Sequence, residues 1–558
     1  MKNTFKYTVL SVFMASVLTS CEDFFNRLPL NEIVLEKFYT EENDITSVLN
    51  SCYAGIETPA CIRQMAVWGE MRSDNITTTT STGAEDLQLL KENILPTISY
   101  ANWSSFYVVI NRCNTVIHYA PLVQERDPNY SESEMRANIA EAKTLRALCY
   151  FYLIRAFRDV PFVTEPSIDD TQEFKVPATS FDSILGYLIS DLEAVKNHAV
   201  RKFAIADNNK TRITRYSIYA LLADLYLWDG NYEKSIEHCD LVIEHHKELY
   251  EEEVSRLGNN IDIELFKGIP LYSEHPLGST RSGNMSTKIF GTMKSYESIF
   301  ELNFIQNQSV SNSTISSLYG SSGTLVGGVS ATPFLFENAG TGSNTVFKRT
   351  DCRYLEFMQQ DNTQFAIVKY TRMSNVFDTP LASSTASPAV TATRRNNSAN
   401  WIIYRLTDIV LIKAEASVQL AKISTTPQPM LQQALSLVSA VYNRANNLTA
   451  LSADTLKYST YSTVDAMDNL VLLERQRELM FEGKRWFDLL RMARRVGNNQ
   501  LLIDHCIKKQ KSNTSAVRLK MASKDYLYFP YREGELQVNP FLQQNPAYEM
   551  NKTTTITE

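Results

Sequence analysis

Apolar residues recur at spacings of three, four and seven along several stretches of the chain, the period of one face of an α-helix. In residues 103–120 that face holds Trp103, Phe106, Tyr107, Ile110, Asn114 and Ile117. In residues 31–56 it holds Phe38, Val48, Leu49, Cys52 and Tyr53. Residues 134–157 predict a long helix, closed by Asp159-Val160-Pro161, because proline disfavours helical backbone in the residue before it. Two later helices are predicted. In residues 404–422, Tyr404, Leu411, Ala414 and Val418 share a face; in residues 430–446, Leu431, Ala434, Leu435, Val438 and Val441 do the same.

Residues 215–246 predict a helix, a turn at Asp229-Gly230-Asn231 and a second helix. Ala223, Tyr226, Gly230 and Tyr232 fall where tetratricopeptide-type repeats place small and aromatic residues, while Ser235 stands where the repeat prefers alanine. On this stretch alone a generic helical hairpin is the alternative. Residues 255–400 differ in kind, being rich in Ser, Thr, Asn and Gly. They are expected as irregular loops laid over the helical scaffold, the usual place for recognition. The resulting organisation is an N-terminal leader over 1–20, a helical part over 21–254, a loop-rich insertion over 255–400 and a second helical part over 401–558.

The net charge of −7 over 558 residues, with no long Lys/Arg run, argues against a nucleic-acid partner. The chain has 28 Tyr and 26 Phe, enough to fill a core and spare some for a binding surface. Its 8 Cys are irregularly spaced and include no CxxC pair, so no zinc module is suggested. Cys149 reads as a buried thiol; Cys52 and Cys61 are candidates for a disulfide that nothing in the sequence requires. Residues 1–20 read as an export signal: Lys2 and Lys6, then an apolar run from Tyr7 to Leu18. That run is shorter than the about 20 residues needed to span a bilayer. It ends in Leu18-Thr19-Ser20-Cys21, which resembles a bacterial lipobox. Cys21 is therefore the expected lipid attachment site, and the acidic Glu22 and Asp23 after it resemble a surface-export signal.

Several segments in order resemble the SusD/RagB family. They are Tyr53-Ala54-Gly55, Ser73-Asp74-Asn75, the Trp103–Asn114 pattern, and Glu141–Ala147 with its Asp159-Val160-Pro161 exit, where Arg158 replaces the usual glycine. Further along come Tyr404–Asp408 with Ala414-Glu415-Ala416, and Val441–Ala445. The closest likeness is ERQRELMFEGKRWFDLLR over Glu474–Arg491, followed by Glu535-Leu536, Asn539-Pro540 and Gln544-Asn545-Pro546. The resemblance implies a mainly α fold, a tetratricopeptide-like helical-hairpin scaffold carrying long irregular insertions. It implies a lipid-anchored outer-membrane protein facing the exterior, without enzymatic activity or cofactor. Such a protein binds a glycan, or in some members a peptide, and acts with a SusC-like TonB-dependent transporter.

Glu474, Glu478, Glu482 and Asp488 invite comparison with the two carboxylates of a glycosidase. The interleaved Arg475, Arg477, Lys484, Arg485 and Arg491 instead put a cation within helical reach of each, which predicts a structural ion-pair network of ionised acids. His238, His245 and His246 fall on one predicted helix and read as a solvated face rather than a zinc site. Sugar binding calls for aromatic faces beside polar side chains. Trp68, Asp74, Asn75, Tyr100 and Asn102, around a Thr-rich loop at Thr77–Thr82, are the first candidates; Tyr272, Tyr296 and Tyr319 are the second. Trp103 is expected in the core. The expected function is capture of an oligosaccharide. The alternatives are an oligopeptide ligand, a protein–protein scaffold, or a surface glycosidase.

Overall fold

The computed structural model describes residues 38–549 apart from 169–171, 259–260, 274–283, 305–310, 336–345, 349–350, 362, 378–389, 447–454 and 511. The leader over 1–20 and Cys21 lie outside the described residues, as do parts of the Ser/Thr-rich insertion. Helix outweighs strand, 59% against 9%, so the framework is helical. The long helices are α1 (Glu42–Ile56), α2 (Pro59–Ala66), α3 (Ser104–Gln124), α4 (Glu132–Phe157), α5 (Phe181–Val195), α6 (Arg215–Asp229), α7 (Tyr232–Leu257), α8 (Leu406–Ile423), α9 (Gln428–Asn446), α10 (Val464–Leu479) and α11 (Arg485–Val496). Helices α3 and α4, α6 and α7, and α8 and α9 pack as hairpins, and α7 packs on α8 to join the two helical parts. Among the described residues no helix is long and apolar enough to cross a membrane.

Local chemistry sets the ends of these helices. Helix α4 opens on a reciprocal cap: Ser131 Oγ accepts from the Glu134 amide at 3.2 Å, and Glu134 Oε2 accepts from the Ser131 amide at 3.0 Å. It closes at Arg158, which takes a left-handed φ of 70°, the conformation that glycine adopts at least cost. Helix α6 ends on Gly230, also left-handed at φ 84°. Asn231 then caps α7 by accepting from the Lys234 amide at 3.2 Å. Ser235, out of place by the repeat pattern, is buried and donates to the Ala223 carbonyl at 2.8 Å. Its hydroxyl thus spans the closest approach of the hairpin.

Two expectations are corrected here. The segment from Tyr404 begins as a strand: Trp401–Arg405 pairs antiparallel with Ser298–Leu302, and α8 starts only at Leu406. The insertion is also more regular than loops. Its described residues carry short antiparallel ribbons, among them Ile263–Phe266 with Ile269–Tyr272 and Met358–Asp361 with Gln364–Ile367, plus a helix at Ser313–Tyr319. Residues Val329–Ala331 pair back to Ile76–Thr78, tying the insertion to the Thr-rich loop.

The Glu474–Arg491 signature is a helix, turn and helix. Phe481 and Gly483 at its turn have φ of 68° and 69°. A Cβ on Gly69 would lie 1.7 Å from the Gly483 carbonyl oxygen, so two backbones touch here. Because the signature bends, its charges reach other elements rather than each other alone. Glu478 accepts from Arg405 at 2.6 Å, from Arg353 at 2.9 Å and from Arg444. Glu482 accepts from Lys369 at 2.6 Å and Arg405 at 2.7 Å. Asp488 meets Arg475 and Arg491, and Arg491 continues to Glu415 at 2.6 Å. The side chains of Glu478, Glu482, Arg353, Lys369, Arg405 and Arg444 are fully buried. An ion-pair network was expected; its partners from residues 353, 369, 405 and 444 were not.

Burial alone would raise the Glu478 pKa, but Arg444, Arg405 and Arg353 together hold it well below its ordinary 4.5. Its contribution to stability is therefore complete above that value and is lost as the pH falls toward the depressed folded pKa. Glu478→Gln leaves three buried guanidinium groups short of charge. It is expected to cost about 3–5 kcal/mol, read as a lower midpoint in urea unfolding. Gly69→Ala forces two backbones apart and is expected to abolish soluble expression, or to lower the melting temperature of any soluble product.

Candidate functional site

Most of the first set of candidate residues turn inward. Trp68 is fully buried, donates from Nε1 to the Tyr100 carbonyl at 2.9 Å and packs on Phe106 and Phe157. Asp74, also fully buried, binds Arg485 at 2.8 and 3.0 Å and His505 Nδ1 at 2.9 Å. Burial works against its charge, yet Arg485 and the His505 hydrogen bond hold its carboxyl well below the usual range. Asn75 donates to Glu70 at 2.7 Å and accepts from Gln476 at 2.8 Å. Tyr319 is 1% exposed and donates to the Phe481 carbonyl at 3.1 Å. These four bind the rest of the protein and present no face to a ligand. Trp103 is buried, as expected.

Tyr100 and Asn102 lie nearer the surface. The Tyr100 hydroxyl donates to Asp86 at 2.6 Å and accepts from Arg63, whose other arm reaches the exposed Ser317 at 3.0 Å. Half-buried Asn102 uses Oδ1 to accept from the Ser104 amide at 2.9 Å. This polar array flanks the Thr77–Thr82 loop, but its members are largely spent on one another.

Of the second set Tyr319 is thus buried, but Tyr272 and Tyr296 fare differently. Half-buried Tyr272 and Tyr296 sit together in the wall of a 670 Å³ cavity, with ring centroids 6.1 Å apart and planes at 76°. The size is typical of a small-ligand pocket. Its floor is the C-terminal half of α7, which supplies His245 and His246; its sides are the 201–216 segment, the Ile269–Tyr272 strand and residues 294–299. Tyr216 stacks flat on His245, centroids 3.5 Å apart and planes 1° off parallel. The Tyr272 hydroxyl accepts from the Tyr296 amide at 3.1 Å, leaving its own proton to donate. The Tyr296 hydroxyl donates to the His246 carbonyl.

His238 and His246 are 0% and 2% exposed, so the solvated-face reading of these histidines is overturned. Both fall on the stripe that carries Ser235, Cys239 and Val242, a spacing of three and four that was visible in the sequence. Burial, aided by Lys210, pushes the His246 pKa down to about 3 and that of His245 to about 4. Burial likewise brings Lys210 down to about 8. The cavity thus offers neutral imidazoles, a tyrosine hydroxyl and the cations Arg201, Lys202, Lys210, Lys288 and Lys294. Among the described residues no group of three or more His, Cys, Asp or Glu is placed to hold a metal ion. Cys52 and Cys61 are free and buried, so that pair forms no disulfide.

Two family descriptions match the chain: "SusD family" over residues 356–548 and "Starch-binding associating with outer membrane" over residues 29–227. A SusD-like protein of Formosa agariphila is 25% identical over 506 residues, 88% of this chain and 91% of that protein. A SusD-like protein of Bacteroides ovatus is 28% identical over 127 residues, 22% of this chain and 21% of that protein. A SusD superfamily structure from Bacteroides thetaiotaomicron superposes with a TM-score of 0.64 at 20% identity, covering 92% of this chain and 99% of that one.

The imidazoles have a pH signature. Their folded pKa values lie below the ordinary 6.5, so the unfolded chain takes protons first as the pH falls. Their contribution is complete above 6.5 and is lost on going down through the folded values. His246→Gln is expected to reduce the fall in urea midpoint between about pH 7 and about pH 5, measured against the unaltered chain.

Proposed function

The chain belongs to the SusD family, and on that premise we propose that it is a lipid-anchored surface protein that captures an oligosaccharide intact and hands it to a TonB-dependent outer-membrane transporter. The observation that carries the ligand part is the cavity under α7. It joins the faces of Tyr216, His245, Tyr272 and Tyr296 with hydrogen-bonding groups that have capacity to spare. Aromatic faces suit the CH surface of a sugar ring, and mixed donors and acceptors suit its hydroxyls. The matched description of residues 29–227 as starch-binding and outer-membrane-associated supports the same reading. The lipobox-like Leu18–Cys21 supports the anchor.

Capture without cleavage is favoured by where the carboxylates lie. Glycoside cleavage needs a protonated acid beside a second carboxylate, both reachable by the bond. Glu474, Glu478, Glu482 and Asp488 are sealed in the core, and arginine holds Glu478 and arginine and lysine hold Glu482 in the ionised form.

Calorimetric titration with a panel of oligosaccharides and oligopeptides tests the reading. At least one oligosaccharide is expected to bind and to be recovered uncut. Tyr272→Ala and Tyr296→Ala are each expected to weaken it roughly tenfold, with circular dichroism confirming the fold. Binding of peptides alone, turnover of the glycan, or full affinity in both tyrosine variants would each overturn it.

A further inference from the structure

The charges around the cavity under α7 do not balance locally. Three of its cations are matched: Lys294 to Asp207 at 2.8 Å, Lys288 to Asp262 at 2.9 Å and Lys202 to Glu252 at 3.9 Å. Glu253, also in the wall, is turned to Arg256 at 2.7 Å. Lys210 and Arg201 are left over. Among the described residues neither has a carboxylate within 4.0 Å. Lys210 Nζ donates to the carbonyls of Ser298 at 2.6 Å and Tyr296 at 3.3 Å, which leaves one of its three N–H groups unused. Arg201 donates to the Tyr216 hydroxyl at 3.2 Å. Glu301 tempers the Lys210 charge only from a distance.

Beside them is an orphan acceptor. His246 Nδ1 lies 3.0 Å from the Val242 carbonyl, which can only accept, so that nitrogen carries the proton. Nε2 is then a bare lone pair, buried and without a partner. A cation removed from water without a counter-charge is costly, and so is an unpaired buried acceptor. An oxyanion brought into the cavity relieves the first of these.

We infer that the cavity selects an acidic saccharide, whose carboxylate or sulfate ester docks on Lys210 and Arg201. This rests on the reading of the cavity as the glycan site and adds the class of glycan.

The test compares oligosaccharides of one backbone in neutral, uronic-acid and sulfated forms by calorimetry. A charged form is expected to bind roughly tenfold tighter than the neutral one, and the stronger of the two names the source of the oxyanion. Lys210→Met is expected to close that gap. If that variant misfolds, the exposed Arg201→Gln, expected to narrow the gap, carries the comparison. Equal affinity for the neutral form, or a gap that survives the folded variants, would overturn the inference. A second readout follows the His245 and His246 imidazole signals by NMR during titration with inorganic sulfate and with acetate. Saturable shifts are expected in the unaltered chain and not in the lysine variant. Shifts with either anion but no oligosaccharide binding would sink the glycan reading and keep the anion site. Tyrosine-dependent binding of neutral glycans without charge preference, and without such shifts, would do the reverse.

Discussion

Burying a carboxylate among guanidinium groups is unfavourable for each ion alone and tolerable only when all are present together. This chain builds its C-terminal core on that condition. Glu478 and Glu482 receive Arg353 and Lys369 from the insertion, Arg405 from the strand before α8, and Arg444 from α9. None of these elements can leave without stranding a charge in the interior. The tight backbone contact between Gly69 and Gly483 fixes the turn that aims the two glutamates. The network therefore dictates where the insertion sits on the helices, and so where the cavity wall at 294–299 can form. Glu297, buried behind that wall, is itself bound to Arg444 at 2.9 Å.

The helices read at 103–120, 134–157, 215–246 and 430–446 were legible because each carries a long apolar stripe, while α2, α5, α10 and α11 were not read. Gly230, Asn231 and the Ser131–Glu134 cap announce their positions through local chemistry that spacing reveals. The segments that mark the family turn out to be structural. Asp74, Arg405, Arg444, Glu478 and Arg485 come from four of those segments, and each is committed to a buried ion pair. Local spacing suggested that the charges of Glu474–Arg491 would satisfy one another. It could not reveal the cations at 353, 369, 405 and 444, because pairing across so many residues leaves no periodic trace.

The candidate ligand residues were harder to read for a related reason. A tryptophan next to an aspartate looks the same in sequence whether both face solvent or both face the core. Trp68 and Asp74 face the core; Tyr272 and Tyr296 do not. His238 and His246 share the buried stripe of α7 with Cys239 and Val242, and that stripe, not the polar residues between, sets their burial. Lys210 gave no signal at all, lying in the short polar run 207–210, and its importance arises only from the carbonyls that surround it.

Among the ties that hold the described part of the insertion are Arg353 and Lys369 in the ion network, Glu297 on Arg444, Ser298–Leu302 paired with Trp401–Arg405, and Val329–Ala331 along the Thr-rich loop. Between such ties lie the Ser/Thr-rich stretches. Mutations there can lengthen, shorten or recharge a segment while the anchors stay put. The slack between fixed knots can thus be rewritten, and the framework that holds those knots has no need to be reinvented.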